Sequence, residues 1–163
     1  MKNAVKYYIL PAIACSLLII LDQAVKGWAR TVLKPEIDIP IIDGFIRFAY
    51  VENEGAAFGI LQGAKWFFIP ITIIMLLAIG IYYARLPREN KYWFARVPMV
   101  LIFAGAIGNF IDRTFNGYVV DMFEFEFIRF PVFNVADICI VSGAVLMAVA
   151  VLFIIKEQPD AKA

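Results

Sequence analysis

Four stretches of this chain run for fifteen residues or more without a charge: positions 7–21, 66–84, 97–111 and 138–155. Nothing else in the sequence limits the fold as strongly. A helix needs about 17–25 residues to cross the hydrocarbon core of a bilayer. The second and fourth stretches meet that length as they stand. The first and third are shorter, which places Asp22 and the Asp112-Arg113 pair within about a turn of a membrane boundary. Trp93 and Phe94 extend the third span, with Arg96 expected to snorkel toward the headgroups. Composition agrees: 63% of the 163 residues are apolar, against about 45–50% in a soluble domain even with glycine counted. The sequence therefore predicts an all-α membrane protein, a four-transmembrane-helix bundle forming one domain over 1–163. Its spans are expected at about 7–25, 66–84, 95–113 and 134–155, with a β-containing loop over about 30–65.

Lys2 and Lys6 ahead of the first span resemble the start of a signal peptide. Asp22 and Lys26 interrupt the chain before Gly27-Trp28-Ala29, itself a poor cleavage site, so the segment reads as a retained span. Orientation follows from the basic residues. Lys2, Lys6, Arg85, Arg88, Lys91, Arg96, Lys156 and Lys162 fall on one side, with only Glu89, Glu157 and Asp160 as acids. The other side holds seven basic and eleven acidic residues. Both termini are thus expected in the cytoplasm and an acid-rich surface outside. The net charge of +1 gives no field that recruits nucleic acid.

Two segments make up that outer surface. Residues 45–51 alternate around Arg47 and are rich in aromatic and β-branched types, which favours a strand after the Asp43-Gly44 turn signal. The second segment opens with Asn116-Gly117. Its Phe123-Glu124-Phe125-Glu126-Phe127 run alternates aromatic and acid, as a strip lying at the interface would, with interfacial anchoring the simplest role for the rings.

Polar groups near the ends of spans are costly and therefore informative. Asp22 and Lys26 stand four apart, acid first, as an ion pair on one helix face would. Gly105, Asn109 and Arg113, each four apart, share a face of the third span. Gly105 there allows close approach, while Asp112 points elsewhere, toward the interface. Asp121 follows the third span and Asp137 heads the fourth, near the same membrane plane. Asn134 lies three residues before Asp137, where it can orient that carboxylate, though an Asp at a helix start is also a good cap.

The chain contains no histidine, which removes Ser-His and Cys-His dyads and most zinc sites. Ser16 and Ser142, the two serines, sit within spans. Cys15 and Cys139 lie in apolar runs without metal or redox spacing and read as small hydrophobes. Two close carboxylates remain as a means of chemistry. Sharing one proton, they can activate water and polarise a carbonyl without metal or cofactor. The competing reading is a small proton-coupled transporter with Asp22, Asp112, Asp121 and Asp137 as relay groups. Against it stand the absence of a helical repeat and the crowding of the acids at one face.

In five blocks the chain resembles the bacterial lipoprotein signal peptidases, signal peptidase II, an aspartyl peptidase family of the inner membrane. The blocks are Asp22-Gln23 with Lys26; Asn53-Glu54-Gly55-Ala56-Ala57-Phe58-Gly59; residues 105–113; Gly117-Tyr118-Val119-Val120-Asp121; and Phe133-Asn134-Val135-Ala136-Asp137. Met122 stands where the family often has Phe. The resemblance implies that Asp121 and Asp137 are the catalytic dyad. It implies that Asp22, Lys26, Asn53, Gly55, Gly105, Asn109, Arg113 and Asn134 line or support the site. The implied substrate is a prolipoprotein whose lipobox cysteine already carries diacylglycerol, cut just before that cysteine, with membrane lipid as the other partner. No cofactor or metal is implied, and the enzyme is expected to act as a monomer.

Overall fold

The computed structural model describes residues 2–34, 37–55, 61 and 63–155. Helix α1 spans Leu10–Val32 and continues from a π-helical stretch over Val5–Ile9. Strands β1, Ile39–Ile42, and β2, Ile46–Asn53, follow. Then come α2, Lys65–Arg85; α3, Trp93–Phe115; β3, Val119–Phe125; and α4, Val135–Val149, which runs on as π-helical turns over Ala150–Ile155. Among the described residues, four helical segments are long and apolar enough to cross a membrane: Val5–Val32, Trp66–Arg85, Asn90–Phe115 and Val135–Leu152.

Helix α3 is the centre of the bundle, packed against α1, α2 and α4. The α3–α4 contact depends on missing side chains. A Cβ on Gly105 would run into the Ala136 carbonyl of α4, and one on Gly143 of α4 would come within 2.8 Å of the Pro98 carbonyl of α3. Small residues at reciprocal positions let two membrane helices approach to backbone contact, where dispersion replaces a hydrophobic drive that lipid does not supply. Helix α2 behaves differently: no residue of its span is buried. A helix apolar on all sides is at home only in lipid.

Helix α1 runs past its expected end near residue 25 and stays helical to Val32. Asp22 and Lys26 are consequently internal and almost fully buried, at 2% and 0% exposure. Arg96 also departs from expectation. It does not snorkel but is wholly buried. Its Nη2 donates to the Leu86 and Pro87 carbonyls, and its guanidinium lies between the rings of Tyr7 and Tyr83, 5.2 and 4.7 Å from their centroids. Its Nε and Nη1 have no hydrogen-bond partner among the described residues, so the two π faces meet the charge in place of further acceptors.

The two segments expected at the outer surface form a single antiparallel sheet, ordered β1-β2-β3. The Gly44 and Gly117 turns both adopt positive φ, at 70° and 86°, as the turn signals require. In the β2–β3 register Ile46 faces Phe125, Val51 faces Asp121 and Asn53 faces Val119. Arg47 bonds its cross-strand partner Glu124 at 2.7 Å. Beyond β3 the chain folds back, and Phe133 exchanges backbone hydrogen bonds with Phe123. Phe45, Phe125, Phe127, Phe130 and Phe133 cluster there, with Phe45 stacked on Phe127 at 4.7 Å and Phe125 against Phe133 at 5.2 Å. Phe45, Phe127 and Phe130 remain exposed, consistent with anchoring at an interface.

Replacing Gly105 by Ala forces α3 and α4 apart at the Ala136 carbonyl. Overpacking of this kind costs about 1–3 kcal/mol. Thermal unfolding in detergent is expected to show a lower Tm for Gly105→Ala, and an unchanged Tm would contradict the backbone contact.

Candidate active site

Asp121 projects from β3 and Asp137 from the first turn of α4. Fifteen residues lie between them in sequence, and the Phe123–Phe133 pairing closes that excursion. Asn134 then begins α4 as its N-cap. Its Oδ1 accepts the Asp137 N–H at 2.9 Å, and its own N–H donates to Asp137 Oδ2 at 3.2 Å, a reciprocal capping box. Its side-chain Nδ2 donates to Asp121 Oδ1 at 2.6 Å. One residue therefore touches both carboxylates, through its backbone on one side and its amide on the other.

Two further amides complete the setting. Asn53, two residues along β2 from the position opposite Asp121, donates to Asp121 Oδ2 at 2.9 Å. Residues two apart share a sheet face, and diagonal neighbours on it lie within side-chain reach. Asn109 of α3 donates to Asp137 Oδ1 at 2.8 Å, while its Oδ1 accepts from Asn134 at 3.2 Å and from Lys26 at 2.9 Å. Each carboxylate oxygen of the pair thus takes one protein donor and keeps a lone pair, since a carboxylate offers about four such sites. The Asp121 carboxyl is pushed up to about 7, first by burial and then by the neighbouring Asp137 carboxylate.

Asp22 and Lys26 form the expected ion pair at 2.9 Å. Gly55 is tied to the site twice: its N–H donates to Asn53 Oδ1 at 3.0 Å and its carbonyl accepts from Arg113 at 3.0 Å. Arg113 also lies 4.8 Å above the Phe68 ring. Gly105 is not at the carboxylates; it is the helix contact beneath them. Ala56, Ala57, Phe58 and Gly59, the rest of the expected substrate loop, lie outside the described residues.

Asp112 reverses an expectation. It does not face the interface but is wholly buried. Its Oδ1 pairs with Arg30 at 2.6 Å, and its Oδ2 lies 3.4 Å from Lys26 and accepts the Val120 N–H at 3.1 Å. The signal was present in the sequence, because Asp22, Lys26 and Arg30 continue one i,i+4 series on α1, and the last cation of that series needs an acid from another span. Cys15 and Cys139 are both free thiols.

A cavity of about 450 Å³ opens beside the pair. Asn53, Asn109, Arg113, Asp121 and Asp137 form its polar end, and Phe130, Ile138 and Val141 belong to its apolar wall. It thus joins two carboxylates to a hydrophobic surface along α4.

The architecture is shared by known proteins. A solved bacterial membrane enzyme superposes with a TM-score of 0.87 at 33% identity, covering 96% of both chains. A second solved bacterial membrane enzyme gives 0.82 at 35% identity, over 91% of this chain and 96% of that one. The lipoprotein signal peptidase of Clostridioides difficile is 44% identical over 137 residues, 84% of this chain and 90% of that protein. The lipoprotein signal peptidase of Latilactobacillus sakei is 40% identical over 136 residues, 83% of this chain and 89% of that protein. The family described as signal peptidase (SPase) II matches residues 14–153, a range that includes all five sequence blocks, with Asp121, Asp137 and all three site asparagines. The chain belongs to the signal peptidase II family and is a multi-pass membrane peptidase.

Proposed function

We propose that this protein is an aspartyl endopeptidase that removes the signal peptide of diacylglyceryl-modified prolipoproteins, cutting before the lipidated lipobox cysteine. The observation that carries the reading is the bridging of Asp121 and Asp137 by Asn134 at the head of an apolar cavity. With one proton shared between them, the ionised aspartate takes a proton from water as the water oxygen bonds the scissile carbonyl carbon. The protonated aspartate hydrogen-bonds the carbonyl oxygen. When the C–N bond breaks, the proton taken from water passes to the leaving amine. Asn53, Asn109 and Asn134 hold the carboxylates, and Arg113 braces the Gly55 loop that meets the substrate. The apolar wall of Ile138 and Val141 suits a signal-peptide helix entering from the bilayer, with the scissile bond at the sheet. The enzyme works as a monomer in the bacterial cytoplasmic membrane, with both termini in the cytoplasm and the dyad at the outer face.

A proton-relay role for the clustered aspartates fits less well. Asp22 and Asp112 each have both oxygens occupied by ammonium, guanidinium, amide or backbone donors. A relay group must exchange its proton, and the oxygens of these two are already engaged by fixed protein partners.

Asp121→Asn and Asp137→Asn are each expected to lower turnover of a lipidated precursor by at least about 10²–10⁴-fold, the usual contribution of an acid–base group. Near-normal turnover in either variant sinks the dyad. Since burial and the Asp137 carboxylate push the Asp121 carboxyl up to about 7, kcat/KM is expected to fall as pH rises through that value and the shared proton is lost. A profile that stays flat well above it speaks against proton sharing. Reporter fusions at Glu89 should read cytoplasmic and at Asp43 external; the opposite pattern places the dyad on the wrong side for exported precursors.

A further inference from the structure

Behind the dyad lies a second set of ionised groups, and its hydrogen bonds are arranged symmetrically about the two aspartates. Asp22 Oδ1 accepts the N–H of Ala136, the residue immediately before Asp137, at 2.9 Å. Asp112 Oδ2 accepts the N–H of Val120, the residue immediately before Asp121, at 3.1 Å. Between the two carboxylates stands Lys26, whose Nζ is 2.9 Å from Asp22 Oδ2 and 3.4 Å from Asp112 Oδ2. All three side chains are at most 2% exposed. We infer that Lys26, with Asp22 and Asp112 on either side, sets the relative position of the two dyad aspartates.

The inference rests on the aspartyl reading and adds a mechanism of alignment to it. Asp22 holds α4, because the Ala136 N–H is one of the first-turn donors that no helical carbonyl can satisfy. Asp112 holds β3, which has no covalent reason to stay level with α4. The ammonium ties both anchors to α1. Beside these two ion pairs, the ammonium donates a hydrogen bond to Asn109 Oδ1 at 2.9 Å. That contact fixes the amide. With Oδ1 committed to Lys26 and Asn134, Nδ2 must face Asp137; the flipped amide would set its NH2 against the ammonium. Lys26 thus acts on Asp121 through Asp112 and Val120, and on Asp137 through Asp22, Ala136 and Asn109. It is a positioning residue. The arrangement is costly to build from buried ions, and α1–α3 packing alone does not require it.

The test compares Asp22→Asn, Asp112→Asn, their double variant, and the charge-balanced pair Lys26→Met with Asp22→Asn. Wild type and Asp121→Asn are assayed beside them on one lipidated precursor peptide in detergent. A displacement of about 1 Å at reacting groups costs about 10²-fold. Each single variant is therefore expected to lose about 10–10²-fold in kcat, with KM held within about threefold because substrate binding is untouched. The double variant is expected to be little worse than the poorer single, because both anchors act through one lysine. The balanced pair keeps net charge unchanged and guards against simple misfolding. It is expected to fold, to lose kcat, and to shift the alkaline limb of the pH profile upward, since the Lys26 charge holds the Asp121 pKa down. Losses that multiply in the double variant, a rise in KM with kcat preserved, or near-normal kcat in the folded balanced pair would each overturn the proposal. Retained turnover in Asp121→Asn would instead overturn the dyad itself.

Discussion

An ammonium group cannot sit inside a membrane bundle unless its charge is met, and Lys26 is met by two carboxylates and by the amide oxygen of Asn109. Burying one ion costs several kcal/mol even after the surroundings relax. The bundle answers with a balanced set: Lys26 and Arg30 from α1, Asp22 from α1 and Asp112 from α3. The lone pairs left on the acids are filled by backbone N–H groups of β3 and α4. Much of the architecture follows from this balance. Helix α1 continues to Val32 because its charges are neutralised where they stand. Its register against α3 is set by the same contacts, and Gly108 of α3 is needed beside them, since a Cβ there would fall 2.5 Å from Asp22 Oδ2.

The sheet solves a second problem, the delivery of one aspartate from a loop. A strand end lying on a bilayer has little to hold it. Here β3 is paired to β2 along its length, bonded to the returning chain through Phe123 and Phe133, and gripped by Asp112 at Val120. The aromatic cluster weights the same edge toward the interface. Asp121 is therefore fixed from three directions although it belongs to no span. Asp137 needs less, because a helix N-terminus already orients a carboxylate at its third position through the capping box.

The parts of this arrangement that are legible in the sequence are those that depend on local pattern. Charge-free runs give the spans, alternation gives the strand around Arg47, and Asn-Gly and Asp-Gly give the turns. The i,i+4 spacing gives the Asp22–Lys26 pair, and the i−3 spacing gives the Asn134 cap on Asp137. The parts that are not legible depend on pairing between distant segments. No local signal says that β2 and β3 share a sheet, because each alternates as a lone interfacial strip also would. Asp112 is legible only in part: the Asp22-Lys26-Arg30 series asks for an acid from another span, but which span supplies it depends on how α1 packs against α3. Arg96 fails because snorkelling and burial begin from the same stem, and the two tyrosines that receive it come from different spans.

The distribution of charge around the pair carries a further consequence for the proposed chemistry. Every protein group in direct hydrogen-bond contact with Asp121 or Asp137 among the described residues is a neutral amide N–H: Asn53, Asn109 and Asn134. The cations stand one residue farther away, Lys26 behind Asn109 and Arg113 on the Gly55 carbonyl. In a water-poor site a cation bonded directly to a carboxylate favours its charged form strongly. Two such contacts would ionise both aspartates and expel the proton they share. Neutral donors fix the oxygens in space without deciding where the proton resides, and they leave each oxygen a lone pair for water or substrate. In a chain without histidine, the proposed mechanism moves its proton on these two carboxylates. Placing amides against them and lysine behind the amides gives rigidity and keeps the proton mobile.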